Sequence, residues 1–239
     1  YSDGDIVRYD PATDTWDSKR RFGVEGDIID CAEYNGELYF ICLDDSTTNT
    51  HTRLYATDGV SNPRTIYDFP FYFRGYCLKV HWGKLFISGG NYSGDGNYAV
   101  GELFSWSGST IKPYNLGFGV FNPLTEIINN EAYRGDYSIR SMIVYNGLLV
   151  FSMNHVNTVF ALDSMFDGIS PFMHLEKTSS SADIVTAMID HDHKLWLGLL
   201  GSGIWTSCDK NAYRGWLVSS IFNAGTKANY KFFNDVCIV

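Results

Sequence analysis

The chain has 239 residues, 45% apolar and 16% aromatic, with 16 Tyr and 16 Phe. That length and aromatic load suit one large all-β domain, and a charged fraction of 19% excludes a solvated disordered tail. A net charge of −9 excludes a nucleic-acid surface, which needs clustered Lys and Arg, and no apolar run approaches the ~18 residues of a membrane-crossing helix.

In chain order, Ile6 to Asp10 and the stretch to Trp16 read as two strands around a Pro11–Asp14 turn. Residues 1–22 are then the last two strands of a first repeat unit. Four fuller units follow, over residues 23–70, 71–135, 136–180 and 181–230. Each opens with an apolar strand that ends in a tight turn: Asn35-Gly36, Trp82-Gly83, Asn146-Gly147 and Asp192-His193. Asn-Gly favours a type I′ hairpin, because both central residues need positive φ. A second strand follows at once: Leu38–Ile41, Leu85–Ser88, Leu148–Phe151 and Leu195–Gly198. These runs are apolar at nearly every position, which predicts burial on both faces. Fourth strands are expected at Thr65–Asp68, Ile111–Tyr114, Pro171–His174 and Trp216–Ser219, polar or proline-bearing as exposed edges usually are.

The third strand of each unit carries the clearest signal. Ile6-Val7-Arg8-Tyr9-Asp10 is echoed by Leu54-Tyr55-Ala56-Thr57-Asp58 and by Leu103-Phe104-Ser105-Trp106-Ser107. Val159-Phe160-Ala161-Leu162-Asp163 and Ile204-Trp205-Thr206-Ser207-Cys208 complete the series. A degenerate repeat every ~50 residues, each apolar pair running into an Asp or Gly turn, predicts a β-propeller of four-stranded blades. About five blades are expected, in a closed ring or as part of a larger propeller or multidomain chain. Residues 231–239 read as a closing strand or the start of a following β domain. Tyr1 stands where an initiator Met would, so a processed or partial chain is expected. The long connection over residues 115–135 is expected to pack over the propeller or against a neighbour.

Two stretches resemble known families. Tyr9-Asp10-Pro11-Ala12-Thr13-Asp14-Thr15-Trp16 and Leu85-Phe86-Ile87-Ser88-Gly89-Gly90 resemble kelch repeats. The segment from Trp216 to Val239, with Phe222-Asn223-Ala224-Gly225 and then Lys231-Phe232-Phe233, resembles phage tail structural proteins in which a propeller leads into a β-sandwich. That resemblance implies a virion component, a tail location, homo-oligomeric assembly and other tail proteins as partners.

Candidate chemistry is sparse. Asp27, Asp30, Asp136 and Asp183 recur near first-strand starts, where a propeller would ring them around one mouth of its axis. They are candidate ligands for a cation or a sugar; alternatively, each bonds its own backbone. The loop aromatics Tyr92 and Tyr98 are candidate stacking partners for a glycan. Asp44-Asp45 and Asp95-Gly96-Asn97 read as turn chemistry, and His191-Asp192-His193 as an exposed turn rather than a metal site. Phe73-Arg74-Gly75, Tyr213-Arg214-Gly215 and Arg134-Gly135-Asp136 read as Arg packed on an aromatic face before a turn. The five cysteines show no CxxC and read as buried, inert thiols. No nucleophile elbow or phosphate-cradling loop appears, and no catalytic residue, metal or cofactor is expected.

The sequence therefore points to a non-enzymatic structural module of a phage tail. The alternative is a lectin-like propeller, extracellular or otherwise soluble, that binds a host-surface glycan or a cation.

Overall fold

The computed structural model describes residues 4–46, 49–92, 99–114, 116, 136–154, 158–163, 168–174, 185–200 and 203–207, all within the compact unit Tyr1–Ser207. Among them the fold is all-β, built as five antiparallel sheets. The first is the hairpin of β1 (Gly4–Asp10) and β2 (Thr15–Val24). The second joins β3 (Asp27–Tyr34), β4 (Glu37–Ser46), β5 (Asn49–Thr57) and β6 (Arg64–Asp68) in sequence order. The third joins β7 (Phe73–His81), β8 (Lys84–Tyr92), β9 (Ala99–Trp106) and β10 (Ile111–Tyr114), with the short β11 (Asp136–Tyr137) parallel to β9. The fourth holds β12 (Ile139–Tyr145), β13 (Leu148–Met153), β14 (Thr158–Asp163) and β15 (Gly168–His174). The fifth holds β16 (Val185–His191), β17 (Lys194–Leu199) and β18 (Gly203–Thr206). The expected fourth strand at Trp216–Ser219 and the closing segment 231–239 lie outside the described residues.

The first hairpins of the last four sheets share one turn conformation despite different residues. Asn35 and Gly36, Trp82 and Gly83, Asn146 and Gly147, and Asp192 and His193 all have positive φ. Asp192-His193 adopts it with neither a glycine nor an Asn, so the flanking register imposes the turn there. The recurrent Asp at the end of the third strand has a local role. Asp58 accepts the backbone N–H groups of Ser61 and Val60 at 2.7 and 2.8 Å, and these bonds hold its carboxyl below the usual range. Asp10 does the same for Ala12 at 2.9 Å.

The second strand of each central sheet is buried on both faces, as its apolar run predicts. Because side chains alternate, neighbouring residues enter different cores. In β4, Ile41 packs with Leu54, Phe73 and Leu85, whereas Phe40 packs with Val24 and Tyr55. In β8, Leu85 and Ile87 face the second sheet and Phe86 faces the fourth. In β13, Leu149 and Phe151 face the third sheet and Val150 the fifth. Each sheet thus stacks on the next through its own apolar layer, and each buried Phe or Leu contributes about 1.5–3 kcal/mol. Leu116, from the long connection, is buried in the layer between the third and fourth sheets; the rest of that connection lies outside the described residues.

Hydrogen bonds between sheets reinforce the stack. The last residue of one first strand reaches the turn of the next sheet three times: Tyr34 to the Gly83 carbonyl at 2.9 Å, His81 to Gly147 at 2.9 Å, and Tyr145 to His193 at 3.0 Å. Buried Thr52 donates to the Phe73 carbonyl at 2.8 Å and accepts from the Gly75 N–H at 3.1 Å. Ser88 donates to the Ile139 carbonyl at 3.2 Å. The Gly89-Gly90 pair lies within strand β8, not in a turn. A Cβ on Gly89 would sit 2.1 Å from the Arg74 carbonyl oxygen, and one on Gly90 2.6 Å from the Ser138 Cβ. The pair is therefore required by close strand packing.

These contacts fix an expected order of stabilities in urea unfolding. Thr52→Val should cost about 1–3 kcal/mol, since it strips partners from two buried backbone groups. Ser88→Ala should cost about 1 kcal/mol, and Gly89→Ala about 1–3 kcal/mol through overpacking. Equal midpoints for wild type and Thr52→Val would contradict the inter-sheet role.

Candidate functional site

All four first strands of the last four sheets carry a β-bulge at one repeat position. The ladder shifts at Ile28/Asp30, Gly75/Cys77, Ile139/Ser141 and Val185/Ala187. The extra residues are Ile29, Tyr76, Arg140 and Thr186. A bulge re-aims the side chain it inserts. In the third and fourth sheets the inserted side chains are a tyrosine and an arginine, and they meet.

The Arg140 guanidinium lies 4.5 Å from the centre of the Tyr76 ring. Its Nη2 donates to the Tyr92 hydroxyl at 3.4 Å and approaches that of Tyr76 at 3.5 Å, while its Nε donates to Ser138 Oγ at 3.2 Å. The two tyrosine hydroxyls share a hydrogen bond of 2.7 Å. Arg74 covers the Tyr92 ring at 4.6 Å. Two guanidiniums and two phenols from β7, β8 and β12 thus form one cluster. Gly90 makes room for it, because a Cβ there would sit 2.6 Å from the Cβ of Ser138, which accepts from Arg140. Arg140 is exposed, and the tyrosines and Arg74 are half-buried. Next to Tyr92, Asn91 donates to Glu102 Oε1 at 3.2 Å, and burial raises the Glu102 carboxyl above its usual pKa against that bond.

Of the residues singled out in the sequence, only Tyr92 joins this cluster; Tyr98 and Asp183 lie outside the described residues. Asp27 is exposed at the start of β3. The ladder registers place Asp27 at the repeat position that Arg74 and Ser138 hold in the next two sheets, so that position is not acidic throughout. Asp30 is engaged in the scaffold: its carboxylate accepts the Leu78 N–H from the next sheet at 2.7 Å and the Cys31 N–H at 2.8 Å. Asp136 belongs to β11, paired with Ala99, and not to the first strand of its sheet. Among the described residues no cluster of His, Cys, Asp and Glu has the makings of a metal site.

Other expectations fall as follows. Asp44-Asp45 is strand rather than loop, paired with His51 and Thr50 across β4 and β5. Arg74 does pack on an aromatic face, but inside strand β7 rather than before a turn. His191, Asp192 and His193 are exposed at the β16–β17 hairpin. Cys42 and Cys77 are held inert, their thiols pushed up to about 12 by burial. Cys31 is exposed, against expectation.

The cluster brings guanidinium and phenol groups together on neighbouring strands, and among the described residues it pairs no nucleophile with a base. Sequence reasoning missed Arg74, Tyr76 and Arg140 as site residues; the aromatic-Arg-Gly echo was the one signal pointing there.

No family model matches the chain. No curated protein matches it. Among solved structures it is similar to the extracellular domain of a provisionally assigned hybrid two-component system from Bacteroides thetaiotaomicron, with a TM-score of 0.54 and 15% identity over 87% of this chain and 25% of that one. It thus spans about a quarter of that structure's length. It is also similar to the computationally designed Ika4 protein (TM-score 0.47, 10% identity, 77% and 92% of the two chains). A third is a provisionally assigned glycosidase from Bacteroides thetaiotaomicron (TM-score 0.45, 12% identity, 82% and 67%). Of these, the first bears on the fold, and it speaks to the fold alone.

Glu102 gives a testable consequence. A carboxyl whose folded pKa is raised is destabilising when ionised, so its cost is absent at low pH and grows as pH rises past the unfolded value. Glu102→Gln should therefore raise the urea midpoint at pH 7 and leave it unchanged near pH 4. Partial exposure keeps the gain below that of a fully buried group. A variant less stable than wild type at pH 7 would show that the carboxylate is needed in its charged form.

Proposed function

We propose that this chain is a non-enzymatic β-propeller module that binds a glycan at the cluster of Arg74, Tyr76, Tyr92 and Arg140. The five sheets are its blades. Support for the propeller comes from the sequence period, the in-order strand pairing of each sheet, and the adjacency of β3 to β7, β7 to β12 and β12 to β16. The thrice-repeated bond from first strand to next turn supports this reading, because it repeats one contact between neighbouring sheets. The observation that carries the binding role is the convergence of two guanidiniums and two phenols on the adjoining strands β7, β8 and β12. Presentation from strands rather than from a loop lowers the ordering cost of binding. An extracellular setting is where such a module would meet a host-surface glycan.

A second reading keeps the phage-tail assembly role. It is favoured by exposed apolar side chains at both ends of the stack: Tyr9 and Trp16 on the first hairpin, and Ile189, Leu200 and Ile204 about the fifth sheet. The stretch from Trp216 to Val239, which carries the tail resemblance, lies outside the described residues.

A glycan array probed with the purified chain and with Tyr92→Ala tests the first reading. The expected result is binding to a defined glycan class, weakened at least tenfold in the variant while its circular dichroism is unchanged. Absence of glycan binding, or equal binding by both proteins, would overturn it.

A further inference from the structure

The connection between β6 and β7 places two further aromatic side chains beside Tyr92. Phe69 and Phe73 are buried at its ends, their ring centres 4.6 Å apart, and between them Phe71 is 61% exposed and Tyr72 42% exposed. Its backbone is tied down: the Phe69 N–H donates to the Thr52 carbonyl at 3.0 Å, the Phe73 N–H to that of Pro70 at 3.2 Å, and the Tyr92 N–H to that of Tyr72 at 2.9 Å. Tyr72 has a φ of 71°, in the left-handed region where a bulky side chain is costly and a glycine is not. Among the described residues, every other non-glycine with positive φ lies in a hairpin turn between paired strands. An aromatic kept at a strained, exposed position points to a use for its side chain.

Among the described residues the Tyr72 side chain has no hydrogen bond, ion pair or ring contact. Phe71 meets the His51 ring at 5.6 Å, and His51 is itself 3.7 Å from the Asp68 carboxylate. Tyr72 stands opposite Tyr92, one ladder step beyond the Phe73–Asn91 pair, and the Tyr92 hydroxyl is bonded to that of Tyr76. Exposed rings are thus interleaved with polar groups. A purely apolar partner would strip water from those polar groups without replacing it. A pyranose matches them, because it has a flat C–H face for a ring and a rim of hydroxyls for the polar groups.

We propose that the glycan site extends onto Phe71 and Tyr72, and that its ligand is an uncharged oligosaccharide of β-linked glucose. One pyranose stacks on Tyr72, with Phe71 beside it, and the next reaches the Tyr76 and Tyr92 hydroxyls. β-Linked glucose fits because its ring substituents are all equatorial, which leaves both ring faces as C–H surface. The inference rests on the reading of the neighbouring cluster as a glycan site and adds a second subsite and the class of saccharide.

The test is calorimetric titration of the full chain with cellotetraose and with methyl β-glucoside. Cellotetraose should bind about tenfold more tightly, because it covers both subsites. Tyr72→Gly should lose about tenfold of the cellotetraose affinity. Its urea midpoint should stay at or above that of wild type, since glycine takes a positive φ without strain. Tyr72→Phe should keep both affinity and midpoint, and Phe71→Ala should weaken binding with an unchanged midpoint. A lowered midpoint for Tyr72→Gly with unchanged affinity would make Tyr72 a packing residue and overturn the inference. Cellotetraose binding weakened by Tyr92→Ala yet indifferent to Tyr72→Gly and Phe71→Ala would overturn the second subsite and leave the cluster reading standing. Binding of other glycans on the array but not of cellotetraose would overturn the sugar class and also leave that reading standing. Binding of no saccharide would overturn both.

Discussion

Ile41 and Phe40 are adjacent in one strand, yet one packs toward the third sheet and the other toward the first hairpin. The same division falls between Leu85 and Phe86, and between Leu149 and Val150. A strand with no solvent face cannot belong to an isolated sheet, because one apolar face would stay wet at a cost of several side-chain burials. The middle strands β4, β8 and β13 therefore each demand a neighbouring sheet on both sides, whereas β17 buries only alternate residues, against the two-sided burial expected at Leu195–Gly198. The stacking of sheets, the small residues between them and the inter-sheet hydrogen bonds all follow from that demand.

Close stacking then dictates the details of the first strands. Gly75 fits beside Thr52, and Gly90 beside Ser138, because a Cβ at either position would press on its neighbour. The bulge shared by the first strands of the last four sheets inserts one extra residue and re-aims its side chain. Repetition of the bulge gives each sheet one such residue. Where consecutive sheets place Tyr76 and Arg140 there, the repeat produces a cationic and phenolic cluster with no loop required to build it. The binding proposal is thus a consequence of the scaffold's own geometry.

Much of the scaffold is legible in the sequence because its signals are local. Asn35-Gly36 and Asn146-Gly147 announce their turns, and the apolar runs at Leu38–Ile41 and Leu148–Phe151 announce two-sided burial. Asp192-His193 takes the same turn by repeat position rather than by residue preference. The site was less legible. Tyr92 was found as a loop aromatic, although it closes strand β8. Tyr76 and Arg140 stand 64 residues apart, and their meeting depends on a bulge that leaves no residue signature. The acidic residues near the first-strand starts do not act alike: Asp27 is exposed at the start of β3. Asp30 serves the backbone of the next sheet, and Asp136 pairs one strand away from the expected position.

The central claim is that the sheets are mutually dependent through their middle strands. Native-state hydrogen exchange measures this most directly. The amides of β4, β8 and β13 should exchange only through one shared, global opening with a common free energy. Exchange of β4 through an opening well below that of β13 would contradict the account, because it would mean that each sheet is stable without its neighbours.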